Sequence, residues 1–320
     1  MNQEIQNIIE GFDGVMALSF IRKDGTVLEE CNSSLPLSIA SVGKLFILGT
    51  LLEKCQKEPE QYSLHHRITL GREDQVGGSG LLQYLSEGLE MTIRDLVVMM
   101  MIVSDNVGTN QILAYIGDPE GVCNHREENT DDNEGVSPEP LYRLGDRIQG
   151  KRGLWYREAS QKGAEAVKKH LSSLGIMNSG VLRRIAVTDD ELEGGFALGC
   201  TDEMTAYLVA IENGKVLDEA YLAVFNEILK DQQFKNMLLR HMKLADFTEE
   251  ELPGLLQAGS KTGYDGDRRA DCGWICTESG EMYLYAIIAN GGRDTRYSMD
   301  NEAEMAMAAI GRILEREYLT

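Results

Sequence analysis

The sequence predicts an α+β fold, with an antiparallel sheet assembled from N- and C-terminal strands and a helical subdomain between them. Three observations predict it. β-rich runs lie near the start, at Val15–Ile21, and again between 256 and 288. Helical apolar patterns fill much of the stretch between, and an amphipathic segment from Glu302 to Glu317 closes the chain. Strands at both ends with helices in the middle fit one sheet closed by joining the two ends.

The elements follow in order. Val15–Ile21, the turn signal Lys23-Asp24-Gly25 and Thr26–Leu28 read as a hairpin. From about Val42 to Cys55 the apolar residues Leu45, Ile47, Leu48, Leu51 and Leu52 cover more than one helical face, which suits a buried helix. Residues 92–115 read as two helices broken by a polar turn. Thr92-Ile93-Arg94-Asp95 resembles a capping box ahead of the apolar run Leu96–Val103. Ser104-Asp105-Asn106 is the break, and Gly117 with Pro119 ends the second helix. The stretch from about 118 to 160 changes character. Its acidic run from Arg126 to Glu134 and the segment Ser137-Pro138-Glu139-Pro140 read as a solvated insertion, and Leu154, Trp155 and Tyr156 suggest a lid or an interaction surface. Helical patterns return at Gly163–Leu174, Thr201–Asn213 and Asp218–Leu229. Strands are expected at Leu256–Lys261, Asp271–Cys276 and Met282–Ile288. The 320 residues are read as a single unit, with an α/β part about 1–55 and 215–320, and an all-helical part about 56–214 that contains the insertion.

Composition narrows the function. Acidic residues number 52 against 31 basic ones, a net charge of −21. A field of that sign repels phosphate backbones and anionic lipid, so neither nucleic acid nor a membrane surface is an expected partner. The longest strongly apolar run, Leu96–Val103, falls far short of the roughly 20 residues a spanning helix needs. The acidic N-terminal stretch lacks the basic and apolar segments of a secretory signal, so a cytoplasmic location is expected. The six scattered cysteines read as reduced thiols without zinc-site spacing. No phosphate loop or dinucleotide motif stands out, so no metal and no cofactor are expected, only a small-molecule substrate. The five histidines have no nucleophile-elbow serine to serve.

Three short motifs carry chemistry. Ser41-Val42-Gly43-Lys44 opens the first buried helix and puts Ser41 and Lys44 on one face. A serine needs a base to attack, and a lysine serves only when burial or a second cation lowers its pKa. Ser104-Asp105-Asn106 offers a hydroxyl to relay a proton and an amide to hold a substrate amide. Lys261-Thr262-Gly263 ends a strand. There Lys261 supplies positive charge, Thr262 a hydrogen bond, and Gly263 room for a substrate along the strand edge. Each motif alone is explained equally well by an ordinary helix start, turn or strand end. Together, in this order and on these elements, they form a recognised set.

By these motifs the chain resembles the class A β-lactamase-like serine hydrolases of the penicillin-recognising superfamily. Gly78–Leu82, Thr92–Leu96 and Met101–Asn106 resemble that family's central helical run, and Thr201-Asp202-Glu203-Met204 the segment after its omega loop. The resemblance implies a β-lactamase-like fold. It also implies Ser41 as the acylated nucleophile, Lys44 as its base, and Ser104 and Lys261 as carriers of protons and charge. Asn106 and Thr262 would position substrate, and the backbone N–H groups of Ser41 and Tyr264 would form the oxyanion hole.

The pattern also departs from the family. No ExxLN motif occurs between Asn106 and Lys261. Arg184 falls near the expected glutamate, with Asp189, Asp190, Glu191 and Glu193 nearby. Without a placed base and water, deacylation is slow. The arginine expected to meet a substrate carboxylate would stand near Ala270, with Arg268 or Arg269 as substitutes. The leading reading is therefore a serine hydrolase acting through an acyl-enzyme on a β-lactam or related amide. The alternatives are a peptidase or esterase on the same scaffold, a penicillin-binding protein that deacylates slowly or not at all, and an acidic interaction protein that uses the insertion.

Overall fold

The computed structural model describes residues 1–71, 75–124, 151–186, 195–245 and 254–320. Helix α1 (Gln3–Gly11), which the sequence pattern did not single out, leads into strands β1 (Val15–Arg22) and β2 (Val27–Cys31). Strands β8 (Gln257–Asp265), β9 (Arg268–Cys276) and β10 (Met282–Asn290) come from the other end of the chain. All five form one antiparallel sheet in the order β2–β1–β10–β9–β8. The two ends of the chain join where β1 pairs β10, from Val15↔Asn290 to Arg22↔Tyr283.

Helices cover both faces of this sheet. Ala17, Ala286 and Ile288 pack into a core shared with Leu45, Leu48 and Leu51 of helix α2 (Lys44–Lys57). Leu18, Phe20, Tyr285 and Ile287 pack into a second core with Ile5 and Ile9 of α1 and Met307 and Ile310 of α9 (Glu302–Leu314). Double coverage explains why Val15–Ile21 and Met282–Ile288 are nearly continuous apolar runs instead of alternating ones. Two small sheets lie within the helical part. One has the order β3 (Leu37–Ser38), β7 (Ala197–Gly199), β6 (Gly180–Val181), and the other pairs β4 (Arg67–Thr69) with β5 (Glu90–Thr92).

The remaining helices are α3 (Ile93–Ile102), α4 (Asn106–Gly117), α5 (Pro119–Asn124), α6 (Lys151–Ser173), α7 (Thr201–Glu212) and α8 (Glu219–Lys230). The capping box at α3 forms as expected: the Thr92 hydroxyl accepts from Asp95 N at 3.1 Å, and the Asp95 carboxylate accepts from Thr92 N at 3.2 Å. The expected loop region around 118–160 is partly helical. It opens with α5, and α6 begins at Lys151, ahead of the Gly163 start that the pattern predicts. Packing is the reason: Tyr156 is buried, and Trp155 Nε1 donates to Asp118 Oδ2 at 2.8 Å. The acidic run from Arg126 to Glu134 and the segment Ser137–Pro140 lie outside the described residues. Among the described residues no helix is long and apolar enough to cross a membrane.

Helices α4 and α6 approach closely through two glycines. A Cβ at Gly163 would lie 1.9 Å from Leu113 O, and one at Gly117 would lie 2.0 Å from Ala159 O. Both obstacles are backbone, so neither can swing aside. Gly163→Val is expected to destabilise the fold by about 3 kcal/mol in urea unfolding, by forcing the helices apart. Gly11→Ala, where no atom lies within 4 Å, is expected to change stability by under about 0.5 kcal/mol.

Candidate active site

Ser41 lies in a 3-10 turn, Ala40–Gly43, that runs straight into α2. Ala40 holds φ +44°, a left-handed conformation that costs a residue with a side chain about 1–3 kcal/mol, so its surroundings must impose it. Two strands do so. Ile39 N donates to Ala197 O at 3.2 Å, just after β3 pairs β7. On the other side β8 presses its Gly263 against the turn. A Cβ there would lie 2.4 Å from Ile39 O and 3.2 Å from the backbone nitrogens of Ser41 and Val42. Only glycine fits, and the fit lays the Ser41 N–H beside the edge of β8.

Lys44 is fully buried, and its amine meets three oxygens: Ser104 O at 2.7 Å, Asn106 Oδ1 at 3.0 Å and Ser104 Oγ at 3.2 Å. Burial holds its pKa well below the ordinary 10.5, and the charge of Lys261 lowers it further, while Asp105 opposes them. The contact set suits a neutral amine. The amine donates to all three oxygens, and on losing a proton it keeps the carbonyl and amide oxygens as acceptors while its lone pair can turn to the Ser104 hydroxyl, which can donate. Among the described residues Lys44 makes no hydrogen bond to Ser41, although the two stand three residues apart, because these acceptors engage the amine.

The Ser104–Asn106 turn between α3 and α4 is shaped for this contact. Ser104 holds φ +58°, which turns its carbonyl oxygen toward Lys44. Asp105 caps α4, with Oδ1 accepting from Gly108 N at 2.9 Å and Oδ2 from Leu81 N at 2.6 Å and Leu82 N at 2.8 Å. Its two oxygens are thus occupied with scaffolding. Asn106 bridges Lys44 to the 77–79 segment: its Nδ2 donates to Gly77 O at 3.0 Å, and its backbone N to Ser79 O at 3.0 Å.

Lys261 is also fully buried, and its amine donates to Thr262 O at 2.7 Å. Burial brings its pKa down to about 7 against the pull of Asp271. Asp271 stands opposite Thr262 in the β8–β9 register. Burial pushes its carboxyl up, and it accepts from Tyr285 Oη at 3.0 Å and Leu238 N at 3.2 Å. Thr262 is buried, and its hydroxyl has no partner among the described residues. Strand alternation puts Thr262 on the face of Tyr264, opposite to that of Lys261 and Gly263. The Tyr264 side chain points away from the turn, its hydroxyl donating to Asn236 Oδ1 at 2.6 Å, so its backbone is the part at the edge of β8.

The substitutes for a carboxylate-binding arginine are engaged elsewhere. Arg269 is buried with Nε on Glu304 at 2.9 Å and its other nitrogens on three carbonyl oxygens, and it lies between the rings of Tyr264 and Tyr297. Arg268 forms surface ion pairs with Asp265 and Asp267, and Ala270 offers only a buried methyl. Arg184 and Ile185 lie beside α4, where Asn110 grips the Ile185 backbone in both directions at 2.8 Å. Asp189, Asp190, Glu191 and Glu193 lie outside the described residues.

Three supporting residues escaped the sequence reading. The first is Asn110, whose signal was available: a polar residue one turn after Asn106, within the polar run Thr109-Asn110-Gln111 at the start of a helix that is apolar from Ile112 on. The second is Asp271, whose role appears only once the strands are in register. The third is His170, which joins three helices through Glu53 Oε2 at 2.7 Å and Tyr207 Oη at 3.1 Å.

With this geometry in view, the chain belongs to the beta-lactamase enzyme family, whose model matches residues 1–126 and 161–318. No curated protein sequence matches it. Among solved structures it is similar to a beta-lactamase from Sphaerobacter thermophilus, with a TM-score of 0.73, 20% identity, and 99% of this chain and 98% of that one covered. It is similar to PBP-A in a variant's acyl-enzyme complex with penicillin G, at TM-score 0.69, 17% identity and 99% and 95% coverage. A class A beta-lactamase from Mycobacterium abscessus matches at TM-score 0.69, 17% identity and 99% and 98% coverage. At these identities the structural matches establish the β-lactamase-like fold. The family match supports a serine β-lactamase-like hydrolase.

The buried amine has a measurable consequence. Between the lowered folded pKa of Lys44 and 10.5, the unfolded chain binds a proton that the folded chain does not. Folding stability therefore rises with pH in that window and falls as pH drops toward the folded value. The stability of the parent relative to Lys44→Met is expected to rise with pH by up to about 1.4 kcal/mol per pH unit between that lowered value and 10.5 in denaturant unfolding.

Proposed function

We propose that the chain is a serine hydrolase that acts through an acyl-enzyme on a β-lactam or related amide. One observation carries this reading: the buried Lys44 amine, three residues from Ser41, joins the first motif to Ser104 and Asn106 of the second. Ser41 Oγ attacks the carbonyl carbon as its proton passes to the neutral Lys44 amine. The developing oxyanion is met by the backbone N–H groups of Ser41, which lies against Gly263, and of Tyr264, the next residue on β8. Ser104 Oγ, 3.2 Å from Lys44, then hands a proton to the leaving nitrogen, and the lysine proton replaces it. Lys261 supplies the positive charge for a substrate anion, and Asn106 positions the substrate along the edge of β8, where the buried Thr262 contributes as part of the strand and not through its hydroxyl. Residues 1–320 work as one unit, with the helical part and the sheet part meeting at Ser41.

We propose further that deacylation is slow. A hydrolytic water needs a carboxylate or another base beside the ester. Asp105, the carboxylate that acts on Lys44, has both oxygens capped by backbone N–H groups. Arg184 and Ile185, anchored at Asn110, offer none.

Intact-protein mass during incubation with penicillin G and a chromogenic cephalosporin tests both parts. The expected result is a long-lived adduct of one substrate mass on the parent, and none on Ser41→Ala. Fast product release without an adduct would overturn slow deacylation and point to a base within residues 189–193. An equal adduct on Ser41→Ala would overturn the assignment of the nucleophile.

A further inference from the structure

A cavity lies away from Ser41, between the β1–β2 hairpin and α7. It has a volume of about 580 Å³, within the range of small-molecule sites. None of its lining residues belongs to the three motifs.

Its shape follows from two registers. On α7 it is lined by Asp202, Thr205, Ala206, Val209 and Ala210, a single stripe spaced three and four residues apart. The eight helical steps from Asp202 to Ala210 make that stripe about 12 Å long. On the hairpin, Glu30 pairs Ser19 and Val27 pairs Ile21, and all four line the cavity. Ser19 Oγ is 2.9 Å from Thr205 Oγ1, which fixes that end of the hairpin against the first turn of α7. Glu30 and Asp202 therefore share one end. Lys215, just past the C-terminus of α7, lines the other end with Gly25. The connection is firm there too, since Asn213 Nδ2 donates to Lys23 O at 3.2 Å and Lys23 pairs with Glu212 at 3.5 Å.

The charges at the two ends are uncompensated. Glu30 accepts from the Ser33 hydroxyl, and Asp202 from the Ser34 hydroxyl at 2.6 Å. Among the described residues neither carboxylate has a basic partner within ion-pair distance, and the Lys215 amine has no acidic one. Between them the walls are apolar: Ile21, Val27, Leu174 and Val209. A cavity with a negative end, a greasy middle at least about 12 Å long and a positive end beyond it matches a molecule of the opposite pattern.

We propose that this cavity binds a short zwitterionic peptide with apolar side chains, its terminal ammonium between Glu30 and Asp202 and its terminal carboxylate at Lys215. Length selects the class. At about 3.3–3.6 Å per residue, the stripe of about 12 Å alone is three extended residues long, whereas a single amino acid spans one end only. The site is separate from the acyl-enzyme chemistry and does not depend on it.

Calorimetric titration of the full chain carrying Ser41→Ala with the tripeptide Leu-Leu-Leu tests this. Saturable binding with a Kd of about 1 mM or tighter is expected. Acetylating the peptide N-terminus, or the change Asp202→Asn, is expected to weaken binding about tenfold, and Lys215→Ala is expected to weaken the free acid but not the C-terminal amide. Ala206→Trp, at an exposed helix position on the cavity wall, is expected to abolish binding while circular dichroism and Tm stay unchanged. If Ala206→Trp fails to fold, Lys215→Glu serves in its place and is expected to reject the free acid. Absence of saturable binding, equal affinity for the doubly capped peptide, or full binding by a folded cavity variant would each overturn the proposal.

Discussion

The site depends on one interaction, the burial of the Lys44 amine among Ser104 O, Ser104 Oγ and Asn106 Oδ1. An ammonium placed there would lose its water and face the charge of Lys261, so the amine is driven toward its neutral form. Neutrality makes it a base. The same contacts tie the start of α2 to the turn between α3 and α4, so the chemistry of the amine and the packing of the helices have one origin.

The rest of the architecture serves that burial. Asp105 takes three backbone N–H groups and so fixes the turn that presents Ser104. Gly263 lets β8 lie against the turn at Ser41, and the long pairing of β1 with β10 holds together the sheet to which β8 belongs. Left-handed backbone at Ala40 and Ser104 marks the two points where the fold offsets strain to aim a group at the site. Arg269 shows the opposite case. A cation on the strand beside β8 is turned to Glu304 and the carbonyls of the hairpin end, and it stabilises the far face of the sheet instead of meeting a substrate.

Much of this was legible in the sequence. The strands at both ends, the buried helix after Ser41 and the capping box at Thr92 follow from local periodicity and turn chemistry. The three motifs could be placed on their elements because each abuts an apolar run of definite period. What was not legible depends on tertiary register. Nothing local says that Asp271 stands opposite Thr262, that Arg269 turns to Glu304, or that the Lys44 amine prefers Ser104 and Asn106 to Ser41. Helix α6 begins early because Tyr156 is buried and Trp155 bonds to Asp118, which the polar composition around them concealed. Helix α1 was passed over because its short apolar face, Ile5 and Ile9, gains its meaning only against the sheet.

The most direct test of the account is the ionisation state of Lys44. Nitrogen NMR of protein labelled at lysine Nζ, with the Lys44 signal assigned through Lys44→Met, reads it without reference to any substrate. The expected result is an amine that loses its proton well below the ordinary 10.5. An ammonium signal persisting from pH 7 to pH 9 would contradict it, because Lys44 would then have no lone pair with which to activate Ser41.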